Sequence, residues 1–229
     1  AGSAVITEGG KRFNRFLFAT PDGAVRHYDK RHLFGYGGET ERYSAGRHRL
    51  IWEYRGWRIC PQVCYDLRFP AWCRNRDDYD LLMFVANWPE PRTAAWSALL
   101  RARAMENQAY VIGVNRSGND PRGLTYSGAS AVYDPLGETV LDLGVAECSG
   151  KVTINLDRVK SIRQQLPFQQ DADNFYFDDY IPDRGFDHLI PSDSLYLEFL
   201  KFVYHSYPSI NPMADLIYNE SNHMHCMAL

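Results

Sequence analysis

The residue with the clearest chemical potential is Cys64, which follows a short, mostly apolar run at residues 59–63. A polar segment comes next, with an acid, an arginine and a proline at positions 66, 68 and 70. This order predicts a strand that delivers the thiol to the edge of a sheet, where a turn and then a helix begin. Free backbone N–H groups at such a place lower the pKa of a thiol and can bind an oxyanion. We therefore predict that Cys64 is a nucleophile.

A single cysteine after an apolar run is more often a small buried hydrophobe, so the prediction depends on the residues expected near Cys64. Lys30 follows a strand predicted at residues 25–28, and Asn87 and Trp88 end an apolar run that begins at residue 81. Taken alone, Lys30 would be an ordinary solvated lysine. Because functional side chains stand at three strand ends, we expect them to share one site at one edge of a sheet.

Hydrophobic periodicity and turn signals place these residues on a layered α/β framework. Strands are predicted at residues 5–8, 12–19, 25–28, 49–54, 57–63, 81–87, 110–115, 130–133 and 139–142, and helices at 69–76 and 93–107. The regular part is expected to close with residues 151–156. Helices that lie between buried strands in this way are expected to cover one sheet.

The chain has 229 residues, of which 45% are hydrophobic and 23% charged, so it can form a globular core. A net charge of -3 gives no reason to expect nucleic acid or an anionic membrane as a partner. Since no run of 18 apolar residues and no secretion signal is visible, we expect no membrane span and a cytoplasmic location. The five cysteines have irregular spacing, which argues against a disulfide framework.

Four segments give the chain a resemblance to a known family. They are residues 28–34 (YDKRHLF), 59–70 (ICPQVCYDLRFP), 85–89 (VANWP) and 101–110 (RARAMENQAY). In this order and spacing they resemble the carbon–nitrogen hydrolase (nitrilase) superfamily. Within it the resemblance is closest to the ω-amidases, which hydrolyse small ω-amides of dicarboxylic acids. It extends over residues 2–177, and it is specific because several motifs match together.

The resemblance implies an α/β fold, a four-layer α-β-β-α sandwich of the nitrilase type, and a Glu-Lys-Cys triad. Lys30 matches the lysine of the triad and Cys64 the nucleophile. Glu39 matches a second glutamate found near such sites, with Glu41 as the neighbouring alternative. The first glutamate of the triad lies upstream in the family and has no counterpart here. We therefore expect this fold to be incomplete at its N-terminus, without its first strand–helix units.

The activity implied by the resemblance is hydrolysis of the C–N bond of a small carboxylate-bearing amide, an ω-amide such as 2-oxoglutaramate. It proceeds through a cysteine thioester, releases ammonia and uses no cofactor. Lys30 would favour the thiolate, and the N–H of Tyr65 would help to bind the oxyanion. Arg68 is a candidate for the substrate carboxylate, although an ion pair with Asp66 is equally open. Together with the residue pair at 87–88, Tyr65 and Arg68 form the predicted substrate-binding set.

Two other functions remain open at this stage. The chain could be a truncated or non-catalytic member of the family that keeps its scaffold and an association surface. A thiol redox protein is less favoured because the sequence has no Cys-x-x-Cys pair. Members of the family are generally homo-oligomers, so we expect a homodimer. We expect its substrate to be a small-molecule amide.

The composition changes near residue 177, where an acidic, tyrosine-rich and proline-broken segment begins. We assign residues 1–177 to the carbon–nitrogen hydrolase domain and residues 178–229 to a C-terminal extension of unknown role. Ser194 would cap one helix at residues 195–204, either packed on the body or on a second subunit, or foreign to the preceding domain. His223, His225 and Cys226 resemble a small metal cluster, but they lie at a chain end, and we predict no metal site.

Overall fold

The computed structural model describes residues 1–145 and 147–175. The chain begins with an antiparallel three-stranded sheet formed by β1 (Gly2–Glu8), β2 (Lys11–Ala19) and β3 (Val25–Asp29). Glu8 pairs with Lys11 across a two-residue turn, Gly9-Gly10, in which both residues have positive φ, 55° and 74°. Glycine adopts this backbone without a steric penalty, and the turn suits a tight hairpin. The first predicted hairpin is thus confirmed.

A six-stranded mixed sheet forms the centre of the molecule. In chain order its strands are β4 (Trp52–Tyr54), β5 (Trp57–Val63), β6 (Leu81–Ala86), β7 (Tyr110–Asn115), β10 (Ala131–Tyr133) and β11 (Thr139–Asp142), and β8 (Ser117–Asn119) and β9 (Thr125–Ser127) form a separate hairpin. The spatial order is β11-β10-β7-β6-β5-β4. Strands β5, β6 and β7 are parallel, so their carboxyl ends meet at one edge.

One face of this sheet is covered by helix α2 (Thr93–Asn107), which follows the short helix α1 (Pro70–Cys73) in the chain. Trp96 and Leu100 of α2 are fully buried against the sheet. Each such side chain contributes roughly 1.5–3 kcal/mol relative to leaving it exposed. The close approach requires Gly113 in β7, because a Cβ there would lie 2.3 Å from Leu100 Cδ1.

The other face packs against the three-stranded sheet and helix α3 (Leu156–Gln165). Phe18 of β2 meets Tyr54 of β4 edge-on, with their ring centroids 5.4 Å apart. Val159 of α3 is fully buried in the same cluster as Ile59 and Leu81. The predicted α/β class is confirmed, and the described residues supply a helical layer and two sheets of the four-layer sandwich.

Two helices differ from the expectation. Helix α1 is shorter than residues 69–76, because the carbonyl groups of Trp72 and Arg74 accept hydrogen bonds from Arg49 as the chain turns away. Helix α3 begins where the regular part was expected to close. The side chain of its cap, Asn155, accepts a hydrogen bond from the backbone N–H of Asp157 at 2.8 Å.

The predicted C-terminal extension at residues 178–229 lies outside the described residues, as do its expected helix at 195–204 and its histidine and cysteine pattern. Within residues 1–145 and 147–175, no helix has the length and apolar character needed to cross a membrane.

Candidate active site

Cys64 lies at the carboxyl end of β5, where the sequence predicts it. It is the first residue of a 3₁₀-helix, Cys64–Arg68, and α1 begins at Pro70. The strand, turn and helix therefore follow one another as expected. Cys64 has a φ of 47°, a left-handed backbone that residues with a Cβ rarely adopt. This backbone aims the partly buried thiol away from the line of the strand.

A buried carboxylate, Asp66, fixes the turn that carries Cys64. Its oxygens accept hydrogen bonds from the N–H of Val63 at 3.0 Å and the hydroxyl of Tyr28 at 2.9 Å. They also accept the N–H of His32 at 2.9 Å, and His32 Nδ1 lies 2.8 Å away. Asp66 is fully buried, and four partners satisfy it. Asp66 thus connects the turn after β5 to the end of β3 through Tyr28 and His32, each of which is two positions from Lys30 in the chain.

Lys30, which is buried, and Glu39, which is partly buried, form an ion pair. Lys30 is 1% exposed, and its Nζ lies 2.5 Å from Glu39 Oε2. The same oxygen accepts the N–H of Phe34 at 2.7 Å, and Oε1 accepts the side chain of Asn14 at 3.3 Å. Glu39 therefore compensates the buried ammonium and holds it in place. Glu41, the alternative glutamate, is exposed and does not line the site.

The electrostatics of Cys64 differ from the expectation that its surroundings lower the pKa of the thiol. Burial raises the pKa of Cys64, and this effect outweighs the lowering by the positive charge of Lys30. The negative charge of Glu39 raises the pKa further, whereas a hydrogen bond with the backbone of Asn87 lowers it. The net pKa is above 9.0, the ordinary value, because burial and the charge of Glu39 outweigh the charge of Lys30.

A cavity of about 410 Å³ opens over Cys64. Its lining residues are Phe34, Gly37, Glu39, Arg42, Tyr43, Cys64, Tyr65, Arg68, Asn87, Trp88, Pro89, Arg92, Asp120, Arg122, Leu124 and Tyr126. All the predicted site residues are in this set except Lys30, which lies beneath it and reaches it through Glu39. Sequence reasoning missed Arg92, Asp120 and Arg122, because loops bring them to the cavity.

Arg68 does not form the ion pair with Asp66 that the sequence left open. Its guanidinium lies over the ring of Trp88, with Cζ 5.1 Å from the centroid. Trp88 is held in turn by Asn115, whose side chain accepts its N–H at 2.7 Å and donates to its carbonyl at 3.0 Å. The side chains that follow β5, β6 and β7 therefore support one another along the same edge.

The carbon-nitrogen hydrolase family matches residues 1–164, which is more than half of the chain. The chain belongs to the carbon–nitrogen hydrolase family. This confirms the predicted resemblance, and the structure described above has the α/β fold of this family.

Individual relatives agree with the family match. The chain is 48% identical to omega-amidase YafV of Escherichia coli (strain K12), over 76% of this chain and 69% of that protein. It is 32% identical to the 2-oxoglutaramate amidase of Bacillus subtilis (strain 168), over 75% of this chain and 67% of that protein. This carbon–nitrogen hydrolase is thus of the ω-amidase-like kind, and it is an amide-hydrolysing enzyme, as predicted.

A solved structure supports the fold. XC1258 from Xanthomonas campestris, a CN-hydrolase superfamily protein with an arsenic adduct in its active site, superimposes with a TM-score of 0.75. The sequences are 49% identical, and the match covers 77% of this chain and 69% of that one.

The site of this carbon–nitrogen hydrolase combines a thiol, a buried lysine–carboxylate pair and arginines around one small cavity. A thiol can attack a carbonyl carbon, an ammonium can stabilise the charge that develops, and an arginine can hold a carboxylate. Among the described residues, no group of three or more histidine, cysteine, aspartate or glutamate side chains could hold a metal ion.

Proposed function

We propose that this chain hydrolyses a small carboxylate-bearing amide, an ω-amide such as 2-oxoglutaramate, through a thioester on Cys64, and releases ammonia. The observation that carries the proposal is the shared cavity of Cys64, Glu39 and Arg68, with Lys30 bonded beneath Glu39. The names of the two relatives, an omega-amidase and a 2-oxoglutaramate amidase, support this substrate class.

The first half of the reaction forms the covalent intermediate. The sulfur of Cys64 attacks the amide carbon as a thiolate, because an amide is too poor an electrophile for a neutral thiol. The carbonyl oxygen becomes an oxyanion, which the charge of Lys30 and the backbone N–H of Tyr65 stabilise. The C–N bond then breaks, and the departing nitrogen leaves as ammonia with the proton that the thiol gave up when it became a thiolate.

The second half regenerates the enzyme. Water attacks the thioester carbon, the S–C bond breaks, and the product leaves as a carboxylic acid while the sulfur recovers its proton. Both halves need a group that gives and accepts protons. We assign this exchange to the Lys30–Glu39 pair, since Glu39 lines the cavity that also contains Cys64.

Substrate binding follows from the walls of the cavity. Its volume of about 410 Å³ lies at the small end of ligand pockets, which suits a short acyl chain. Arg68 would hold the carboxylate at the end remote from the amide, while Trp88 and Asn87 form the wall beyond Cys64.

One observation favours an alternative, a family member that keeps the scaffold and an association surface without turnover. Burial raises the pKa of Cys64 despite the charge of Lys30, so little thiolate is present at neutral pH. This alternative and the amidase make opposite predictions for ammonia release.

The test incubates the full chain with 2-oxoglutaramate and measures ammonia, and it looks for an acyl adduct on Cys64 by intact mass and peptide mapping. We expect turnover that Cys64→Ala and Lys30→Ala abolish. Cys148→Ala is the matched control, since Cys148 is exposed and does not line the cavity, and it should leave turnover unchanged. Absence of both ammonia and adduct would favour the scaffold alternative.

We further propose that residues 1–177 carry the activity and that the protein works in the cytoplasm as a homodimer. Light scattering during gel filtration measures the mass of the particle against the 26.4 kDa of one chain. A particle of about twice that mass is expected, and a single-chain mass would exclude the dimer.

A further inference from the structure

A second arginine of the cavity, Arg92, is held in the same way as Arg68. Its guanidinium lies over the ring of Phe34, with Cζ 5.3 Å from the centroid, as that of Arg68 lies over Trp88 at 5.1 Å. Both rings line the cavity. A cation over an aromatic face is attracted by the ring, and the planar guanidinium keeps its N–H groups free at its edges.

These N–H groups have no acidic partner. In the part of the chain that the structure describes, neither Arg68 nor Arg92 donates a side-chain hydrogen bond or forms an ion pair. Arginines elsewhere in the molecule contrast with this. Arg15 lies 2.6 Å from Asp29, and Arg49 pairs with a carboxylate in the same manner. We call Arg68 and Arg92 the arginine pair.

Trp88 couples the two members of the arginine pair. Its ring face lies under Arg68, while its Nε1–H donates to the carbonyl oxygen of Arg92 at 2.8 Å. Trp88 is 3% exposed and is fixed by Asn115, so it is a rigid support. The positions of both arginines are therefore set before a ligand arrives, which reduces the ordering cost of binding.

The acids in the cavity do not balance this charge, because the lining has four arginines against two carboxylates, Asp120 and Glu39. The oxygens of Asp120 accept the N–H groups of Arg122 and Leu124 and the hydroxyl of Tyr126. Glu39 is occupied by Lys30. The uncompensated groups in the cavity are thus cationic and carry in-plane donors, the arrangement that binds a carboxylate.

We infer that Arg92 is a specificity-determining residue, which acts with Arg68 to select amides that carry a carboxylate over neutral amides of the same length. This inference rests on the proposed function for the reaction itself. The binding of the anion does not depend on turnover, so the two can be tested separately.

The first experiment measures anion binding beside Cys64 without any amidase reaction. Iodoacetate and iodoacetamide alkylate the same thiol, but one is an anion and the other is neutral. The ratio of their rates at Cys64, followed by peptide mass mapping, reports the attraction of the cavity for a carboxylate. We expect Arg92→Gln and Arg68→Gln each to lower this ratio about tenfold, a loss typical of one charge-assisted hydrogen bond.

The matched control is Arg55→Gln. Arg55 also lies over an aromatic ring, that of Tyr54 at 5.5 Å, but it is exposed and remote from the cavity. The ratio should stay the same in this variant. Arg92→Lys keeps the charge but loses the planar donors, so it should recover only part of the ratio.

The second experiment compares kcat/KM for succinamate, an anionic monoamide, with that for butyramide, its neutral counterpart. Arg92→Gln should lower the succinamate value about tenfold and leave the butyramide value within about twofold. If the arginine variants lower the ratio of iodoacetate to iodoacetamide but the protein shows no turnover, the proposed amidase activity is disproved and anion binding by the arginine pair is supported. Normal turnover with unchanged ratios in Arg92→Gln would reject the role of Arg92.

Discussion

The parallel strands β5, β6 and β7 have charged groups at both ends, but the partners of these charged groups differ between the two ends. At the amino ends, Asp80 lies between two arginines, 2.7 Å from Arg58 Nη2 and 2.9 Å from Arg163 Nη1. At the carboxyl ends, the guanidinium groups of Arg68 and Arg92 lie over aromatic rings and have no carboxylate partner among the described residues.

The comparison shows how one sheet separates stability from function. An ion pair at the amino ends satisfies each charge within the chain, so the folded state gains from it and nothing remains for a ligand. At the carboxyl ends the rings position the cations without consuming their N–H donors. Substitutions at the amino ends should therefore change the free energy of unfolding, and those at the carboxyl ends should change catalysis.

The largest expected effect is that of Cys64→Ala at the carboxyl end of β5. Turnover should fall by on the order of 10³-fold or more, since the nucleophile is lost. The free energy of unfolding, measured by urea titration, should change by less than about 0.5 kcal/mol, because the side chain is only partly buried and alanine removes a single sulfur atom. A large loss of stability would contradict the separation between the two ends.

Asp80→Asn is the reciprocal change at the amino ends. Removal of this 5% exposed carboxylate leaves Arg58 and Arg163 with only the more distant Asp77, 3.5 Å from each, and we expect a loss of about 3 kcal/mol in the free energy of unfolding. The value of kcat/KM per folded molecule should stay within about twofold. The comparison fails if this variant keeps its stability and loses its activity.

Acid should weaken the amino ends in particular. Burial would raise the pKa of Asp80, but the hydrogen bond and the charge of Arg58 outweigh it, and the net pKa is lowered from 3.8. The stability from Asp80 is therefore complete above its unfolded pKa and is lost as the pH falls through the lower folded value. Urea titrations from pH 6 to pH 2 should show a weaker acid dependence in Asp80→Asn.

The pH dependence of Cys64 alkylation is a prediction for the carboxyl ends. Since its pKa is raised above 9.0, the rate with iodoacetamide should continue to rise as the pH passes that value. Lys30→Met removes a positive charge, so it should move the profile to higher pH. Glu39→Gln removes a negative charge and should move it to lower pH. Arg55→Gln should leave the profile in place, and identical profiles in all four proteins would exclude coupling.

The smallest effect is expected for Arg122→Gln. Arg122 lines the cavity, but it lies in an exposed loop, and no aromatic ring among the described residues holds it. An unsupported side chain must be ordered on binding, which offsets most of its attraction for the carboxylate. The rate ratio of iodoacetate to iodoacetamide should therefore change by less than about twofold. An effect as large as that of Arg92→Gln would show that ring support is unimportant.

The sequence predicts the parts of the site that depend on local pattern. A strand, a cysteine at its end and a helix start occur within a dozen residues, so the position of Cys64 at the end of β5 could be read directly. Lys30 and Trp88 could be assigned because strand ends of one sheet meet at one edge. The resemblance added the family, which the comparisons confirm.

The remaining parts depend on contacts between distant residues. Asp66 accepts a hydrogen bond from the hydroxyl of Tyr28, which lies 38 positions away in the chain, and no local sequence pattern predicts such a bond. The pKa of Cys64 was expected to be lowered but is raised. The sequence does not show that the thiol is buried or that Lys30 pairs with Glu39, because both depend on the tertiary structure. Arg92 was missed because it lies in a short 3₁₀-helix, Glu90–Arg92, between β6 and α2. By contrast, Asn155 before α3 was a readable cap signal.

The left-handed backbone of Cys64 has a consequence for how such a protein changes over time. A residue with a Cβ costs about 1–2 kcal/mol in this conformation, a cost that glycine avoids. Glycine is therefore the substitution that natural selection for stability alone would favour here, and it removes the sulfur. A lineage that no longer needs to hydrolyse amides should lose the nucleophile early, while Asp66 and the ion pairs at the amino ends persist.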